Sequence, residues 1–246
     1  MGKLDGKVAL VTGANRGIGK GIARGLAREG ASIIVAARSE PELNVAAAEV
    51  RAVGVAVLAI PTDVTDESQI ESLFKLAMDR FGRLDILVNN AGAFDGGPID
   101  ELSTEAWDKV ISVNLRAPFL CTRAAMRIMK NQGGGRIINI GSISAQRVRP
   151  GSAPYSASKH GIWGLTQVTA LEGRAHNITC CCLHPGNVMI ERREEGRAQG
   201  REQDLEPMMS VDEIAEVAVL MATLPPHVEM LEAIVLPRDQ LYVGRG

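Results

Sequence analysis

The sequence predicts an α/β chain: a doubly wound parallel sheet of seven strands with helices on both faces. Three observations carry this. Seven short runs are apolar nearly throughout rather than alternating, the pattern of parallel strands covered on both sides. Helical stretches separate them in regular βαβ succession. The first run passes directly into a glycine-rich turn that opens a helix.

In chain order, Lys7–Thr12 is the first strand and Gly17–Glu29 the helix after it. Ala31–Ala37 and Val55–Ile60 are the next strands, with a helix at Pro41–Val53 between them. Thr65-Asp66 before Glu67 resembles a helix start, so Asp66–Phe81 reads as helix and Leu84–Asn89 as the fourth strand. Ser103-Thr104 before Glu105 resembles another start, and Ser103–Lys130 reads as one long helix. Gly135–Gly141, a helix at Pro154–His176, Asn177–His184, a helix at Val211–Thr223 and Glu232–Pro237 complete the alternation. With no repeat, low-complexity tract or linker, the chain is expected to be a single domain over residues 1–246. The one compositional shift is Glu191–Glu206, dense in Glu, Arg, Gln and Gly. It reads as an exposed, mobile excursion, spanning about residues 187–210 as a loop over the substrate.

A chain of 246 residues can bury a core without metal or disulfide staples. Its formal charge of -2 lacks the basic excess of a nucleic-acid surface, so no nucleic-acid partner is expected. No apolar run approaches the ~18 residues of a membrane span, and Met1–Lys7 has no leader-like apolar segment, so neither a membrane nor a secretory role is expected. Cys180, Cys181 and Cys182 are consecutive. On a strand their side chains alternate faces, so they can neither converge on one metal nor pair with one another. With Cys121 they read as free apolar fillers, which fits a reducing, cytoplasmic compartment, and no metal is expected.

Glycines 13, 17 and 19 in Thr12-Gly13-Ala14-Asn15-Arg16-Gly17-Ile18-Gly19 have the spacing GxxxGxG. Missing Cβ atoms let backbone approach a pyrophosphate, which then sits on the N–H groups of the next helix, a Rossmann-like arrangement. Dinucleotide choice is read at the end of the second strand, Ala36-Ala37-Arg38-Ser39. No acid stands there to hold a ribose 2′-hydroxyl. Arg38 instead offers a planar fork of donors to a 2′-phosphate, and Arg16 in the turn can approach the same group, so the expected cofactor is NADP(H). The bland alternative is that both arginines are merely solvated.

Tyr155 and Lys159 are four apart and share a helix face, where an ammonium stabilises a phenolate. That pairing suits a general acid/base, although Tyr-x-x-x-Lys alone is common. Its surroundings are more specific. Ser142 closes the strand Ile137–Gly141, thirteen residues before Tyr155 (155 − 142). Asn89-Asn90-Ala91-Gly92 follows the fourth strand, Asn114 lies within Val113-Asn114-Leu115, and Pro185-Gly186 comes after.

TGxxxGxG, NNAG, Ser, YxxxK and PG in this order resemble the short-chain dehydrogenase/reductase family, in its short single-domain branch, over roughly residues 5 to 225. The resemblance implies a catalytic set of Asn114, Ser142, Tyr155 and Lys159. Tyr155 would exchange a proton with the substrate oxygen and Ser142 would hold that oxygen. Lys159 would bind the nicotinamide ribose and tune Tyr155, and Asn114 would keep a water connecting Lys159 to solvent. It places the cofactor on Gly13, Asn15, Arg16, Gly17, Ile18, Gly19 and Arg38, with Asp63 and Val64 at the adenine. Asn90, Ala91 and Gly92 would lie beside it, with Tyr155, Lys159, Pro185, Gly186 and Val188 at the nicotinamide end. The implied reaction interconverts a carbonyl (a ketone, aldehyde or 3-oxo compound) and its alcohol. A 3-oxoacyl thioester reductase is the alternative substrate class. A non-catalytic NADP(H)-binding sensor or scaffold is the alternative of another kind, and the intact Ser142–Tyr155–Lys159–Asn114 set argues against it.

The run Pro185-Gly186-Asn187-Val188-Met189-Ile190 departs from the family's PGxVxT, since Ile190 replaces a Thr that bonds the nicotinamide carboxamide. Phe94, Ile143, Ser144, Gln146, Asn187 and Met189 are expected to line the substrate pocket. His184, before Pro185, reads as a structural or pocket-edge residue. Trp107, Phe119, Ile162 and Trp163 on the two long helices exceed what one sheet face can cover, and predict a homo-oligomer, a tetramer or otherwise a dimer.

Overall fold

In the computed structural model, which describes residues 2–242, β1 (Val8–Thr12), β2 (Ser32–Ala37) and β3 (Val57–Pro61) alternate with α1 (Gly17–Arg28) and α2 (Glu40–Arg51). Then come α3 (Glu67–Phe81), β4 (Ile86–Asn89), α4 (Thr104–Ile111), α5 (Ala117–Gln132), β5 (Gly135–Ile140) and α6 (Ala153–Gly173). β6 (Ile178–Pro185), α7 (Glu191–Ala198), α8 (Val211–Thr223) and β7 (Glu232–Val235) follow. The predicted span of 1–246 reaches past the described residues at Met1 and at 243–246. The seven strands pair in parallel in the order β3-β2-β1-β4-β5-β6-β7, so the predicted doubly wound sheet forms. Its order reverses beside β1 and β4, which sets a crevice at their carboxyl ends.

The strands read as continuous apolar runs because each buries both faces. Ile33 and Val35 of β2 join the cluster under α1, α2 and α8, while Ile34 and Ala36 join the one under α3 and α5. The triple cysteine follows the same alternation: Cys181 lies in the first cluster and Cys180 in the second. Among the buried charges, Asp85 accepts from the Val8 amide at 3.0 Å and from Arg83 and Lys7, fixing where β1 begins. Burial pushes its carboxyl up, but the Arg83, Val8 and Lys7 bonds outweigh this and hold it below the usual range. Arg136 of β5 sends Nη2 to the carbonyls of Leu224 (3.2 Å), Pro225 and Val228, capping α8, whose own last turn has no basic residue.

Two predicted elements differ. The long helix predicted at Ser103–Lys130 is divided: α4 gives way to a π-helical turn at Ser112–Arg116, and α5 then starts with Pro118 in its first turn. Pro118 has no N–H to give the carbonyl four residues back, and the widened turn absorbs the fault. The excursion predicted at Glu191–Glu206 is not irregular throughout. It contains α7, and Asp204 within it is fully buried, with its carboxylate on Arg193 at 2.5 Å.

Candidate active site

The glycine turn is closed by the NNAG loop. Thr12 Oγ1 accepts from the amides of Asn90 (3.0 Å) and Ala91 (3.1 Å), and Asn90 Nδ2 donates to the carbonyls of Thr12 (2.9 Å) and Gly13 (3.0 Å). The glycines have separate reasons. Gly13 has φ +63°, which a side chain rarely adopts. Gly19 leaves no room: a Cβ there would stand 2.3 Å from Asn90 Nδ2 and 2.4 Å from the Gly13 carbonyl oxygen. At the start of α1, Glu191 Oε1 accepts from the Gly17 amide at 3.2 Å, so this helix end already holds an anionic oxygen. Arg16 and Arg38 are exposed and neither has a side-chain partner among the described residues. Asn15 is bonded to Glu42 at 2.5 Å. These residues fit a phosphorylated dinucleotide: a side-chain-free cradle, a helix end that takes an anion, and two uncommitted guanidinium groups.

β5 and α6 bring the second group of residues together. Lys159, buried on α6, donates from Nζ to the Ile140 carbonyl at the end of β5 (2.8 Å) and lies 5.6 Å from the Tyr155 ring centroid. Tyr155 is partly buried and Phe94 lies against it, ring centroids 5.3 Å apart. Ser142 stands just past β5, after Gly141, and its Oγ accepts from the Ser144 amide at 3.1 Å. Asn114 sits in the π-helical turn, buried, with Oδ1 accepting from the Ala93 amide (2.7 Å) and Nδ2 donating to the Ala93 carbonyl (2.9 Å) and Ser158 Oγ (3.3 Å). Its side chain thus ties the loop after NNAG to α6 at Ser158, the residue before Lys159.

Of the residues predicted for the pocket, Gln146 and Asn187 have their amides engaged, Gln146 with Glu232 (2.7 Å) and Asn187 with Glu206 (2.6 Å). Val188 is buried and Asp63 is half-buried, with Oδ1 taken by Thr65. Two contributors stand outside the site residues expected from the sequence. Thr12 ties the turn to NNAG. His184 is fully buried, with Nδ1 2.9 Å from the Ser142 carbonyl oxygen and 3.2 Å from its nitrogen, and Nε2 3.4 Å from Glu232 Oε1. Burial pushes this imidazole below its ordinary pKa; the Ser142 backbone and Glu232 oppose that, and Lys159 adds to it. Thr12 had one available signal, its place at the strand end before the first glycine. His184 reads from the sequence as a structural or pocket-edge residue, but its contact with Ser142 leaves no sequence signal, because Ser142 follows a different strand.

The chain belongs to the short-chain dehydrogenase/reductase family: residues 7–200 match the family model described as short chain dehydrogenase. It is 40% identical to an uncharacterised oxidoreductase of Bacillus subtilis (strain 168), over 88% of this chain and 91% of that one. It is 38% identical to a 3-oxoacyl-[acyl-carrier-protein] reductase of Synechocystis, over 81% of each chain. A crystal structure of a variant actinorhodin polyketide ketoreductase with NADPH superposes with a TM-score of 0.88 at 33% identity, covering 98% of this chain and 100% of that one. The fold and family thus define an oxidoreductase. Among the described residues there is no His/Cys/Asp/Glu group that could hold a metal ion, and no helix is long and apolar enough to cross a membrane.

Proposed function

We propose that this chain is an NADP(H)-dependent reductase that interconverts a carbonyl compound and its alcohol, of the carbonyl reductase or alcohol dehydrogenase type. The observation that carries the reading is the Tyr155–Lys159 pair, held by the Ile140 carbonyl at the end of the strand that leads into Ser142. NADP(H) is favoured over NAD(H) by the uncommitted Arg16 and Arg38, and by the ketoreductase of the same fold that carries NADPH. When bound, the nicotinamide supplies or accepts the hydride. The chain does the rest. Gly13, Gly17, Ile18 and Gly19 cradle the diphosphate, Asp63 and Val64 border the adenine, and Asn90, Ala91, Gly92, Pro185, Gly186 and Val188 flank the cofactor. The Ser142 hydroxyl donates to the substrate carbonyl oxygen and orients it. In the reducing direction the Tyr155 Oη proton passes to that oxygen as negative charge builds there, and the Lys159 ammonium stabilises the phenolate left behind. The Phe94 ring beside Tyr155 offers an apolar wall to the substrate.

A 3-oxoacyl thioester is the second substrate reading, favoured by the 3-oxoacyl-[acyl-carrier-protein] reductase among the relatives. The four free, buried thiols suit a cytoplasmic location. A homo-oligomer is supported by exposed Trp107, Phe119, Val168 and Leu171 on α4, α5 and α6, although Ile162 is buried within the chain and contributes nothing to such a face. Light scattering at micromolar concentration should give a multiple of the 26.2 kDa chain; a monomer alone defeats the oligomer.

The test is Tyr155→Phe, assayed with NADPH over a panel of ketones, diketones and 3-oxo esters. It removes one hydroxyl and keeps the ring. NADPH binding should persist while kcat falls by ~10²–10⁴-fold. Turnover retained within about a factor of three would show that the proton comes from elsewhere.

A further inference from the structure

Ser142 is gripped through its backbone, and the grip comes from a neighbouring strand. In the β5–β6 register Ile140 pairs with Leu183, which sets His184 beside Gly141 and Ser142. The fit is close. A Cβ on Gly141 would stand 2.5 Å from His184 Nδ1, so the glycine makes room for the ring. Trp163 meets the other side of the imidazole edge-on at 6.0 Å. The charged groups facing it are Glu232 from β7 and Lys159 from α6, and the Cys182 thiol is the nearby titratable group on β6 itself.

A neutral imidazole carries one ring proton, and the surroundings decide where it sits. The Ser142 carbonyl already accepts from the Ala145 amide at 2.9 Å. The Ser142 amide has His184 Nδ1 as its acceptor, at 3.2 Å. Nε2 has no hydrogen-bond partner and faces the Glu232 carboxylate at 3.4 Å. A proton on Nδ1 would set two N–H donors against each other and turn the Nε2 lone pair toward a carboxylate. A proton on Nε2 removes both conflicts: the Ser142 N–H donates to Nδ1, and Nε2 turns an N–H rather than a lone pair to the side of Glu232, while Nδ1 stays 2.9 Å from the Ser142 carbonyl oxygen.

We propose that His184, oriented by Glu232 and present as the Nε2–H tautomer, is a positioning residue that accepts the Ser142 amide proton and so fixes the peptide that aims the Ser142 hydroxyl. This rests on the role given to Ser142 above. His184 touches neither substrate nor cofactor and acts through the serine.

Asparagine places an amide oxygen near the position of Nδ1, glutamine near that of Nε2, and leucine supplies bulk with no acceptor. His184→Asn should therefore keep kcat within about threefold of wild type, whereas His184→Leu and His184→Gln should lower it about tenfold or more. The assay uses NADPH and the ketone of the panel that wild type reduces fastest, and the NADPH dissociation constant should stay within about twofold in all three. A packing role alone predicts the reverse order, with leucine at least as active as asparagine. In a Ser142→Ala background, His184→Leu should add less than about twofold, because the residue it acts through is gone. Amide exchange in the cofactor-free protein gives a second readout: the Ser142 N–H should exchange faster in His184→Leu than in His184→Asn. Equal kcat and equal exchange in the two variants, or an undiminished leucine effect in the Ser142→Ala background, overturns the proposal. If His184→Leu does not fold, the Asn and Gln variants decide it, and equal activity in those two overturns it. Full activity in Ser142→Ala would instead overturn the role of the serine, while the exchange rates still show whether His184 holds its amide.

Discussion

At the glycine turn, Thr12, Gly13, Gly19 and Asn90 meet through backbone atoms, one hydroxyl and one amide. Across the cleft, from Asn187 to Glu206, contacts run mostly between charged or polar side chains: Arg193 with Asp204, Asn187 and Arg149 with Glu206, and Arg197 with the Asp204 carbonyl. The two regions touch where Glu191 accepts from Gly17. The first is set by atoms that cannot be exchanged for others of similar character. The second is set by side-chain contacts, two of them ion pairs, which is the kind of attachment a cover over its base would need.

Gly19→Ala is the sharpest way to break the comparison. Its new Cβ meets the Gly13 backbone and Asn90, so we expect a destabilisation of about 3 kcal/mol and loss of NADPH binding, read by thermal melting and fluorescence titration. An alanine variant that melts and binds like wild type would show that the turn gives way as readily as the opposite wall. Asp204→Ala tests that wall. It removes the buried partner of Arg193, itself mostly buried, and should loosen the segment by about 1–2 kcal/mol, discounted for the exposed edge of the pair. Limited trypsin digestion should then cut faster at Arg192–Arg201 while the global melting temperature changes little. A large fall in melting temperature would mean that the segment is part of the core rather than a cover.

The smallest effect belongs to His184, which is buried on β6 and lies in neither region. Its folded pKa lies under the ordinary imidazole value of about 6.5, so the unfolded chain binds the proton first. Stability tied to the neutral ring is whole above about pH 6.5 and is lost as pH falls from there toward the folded value. Melting temperature should decline over that window in wild type and more shallowly in His184→Asn. Parallel slopes would place the loss in other groups.

Much of this was legible in the sequence because it rests on local necessity. Strands buried on both faces must be apolar throughout, as Ile33-Ile34-Val35 are. A turn with its backbone against another loop must be glycine, as at Gly13 and Gly19. Tyr155 and Lys159 share a face by spacing alone. The misses are non-local. α7 lacks the apolar stripe that marks a helix, and its segment is tied down by the reach of Arg193 and Arg197 to residues beyond its end. The break between α4 and α5 needs the conjunction of Pro118 with a widened turn that places Asn114. The contact of His184 with Ser142 exists only once the register of β5 on β6 is known.

The row of thiols on β6 has a practical consequence. Burial pushes Cys121, Cys181 and Cys182 up to about 12 and Cys180 well above its usual value, so almost no thiolate is present at neutral pH. A folded molecule should therefore be silent to an alkylating reagent, and an opened one should take up four adducts. Because Cys180, Cys181 and Cys182 lie on a strand between β5 and β7, their adducts should arrive together, as a jump in mass rather than a gradual climb. The frequency of those jumps would time how often the sheet comes apart, with no dye, tag or substitution added to the protein.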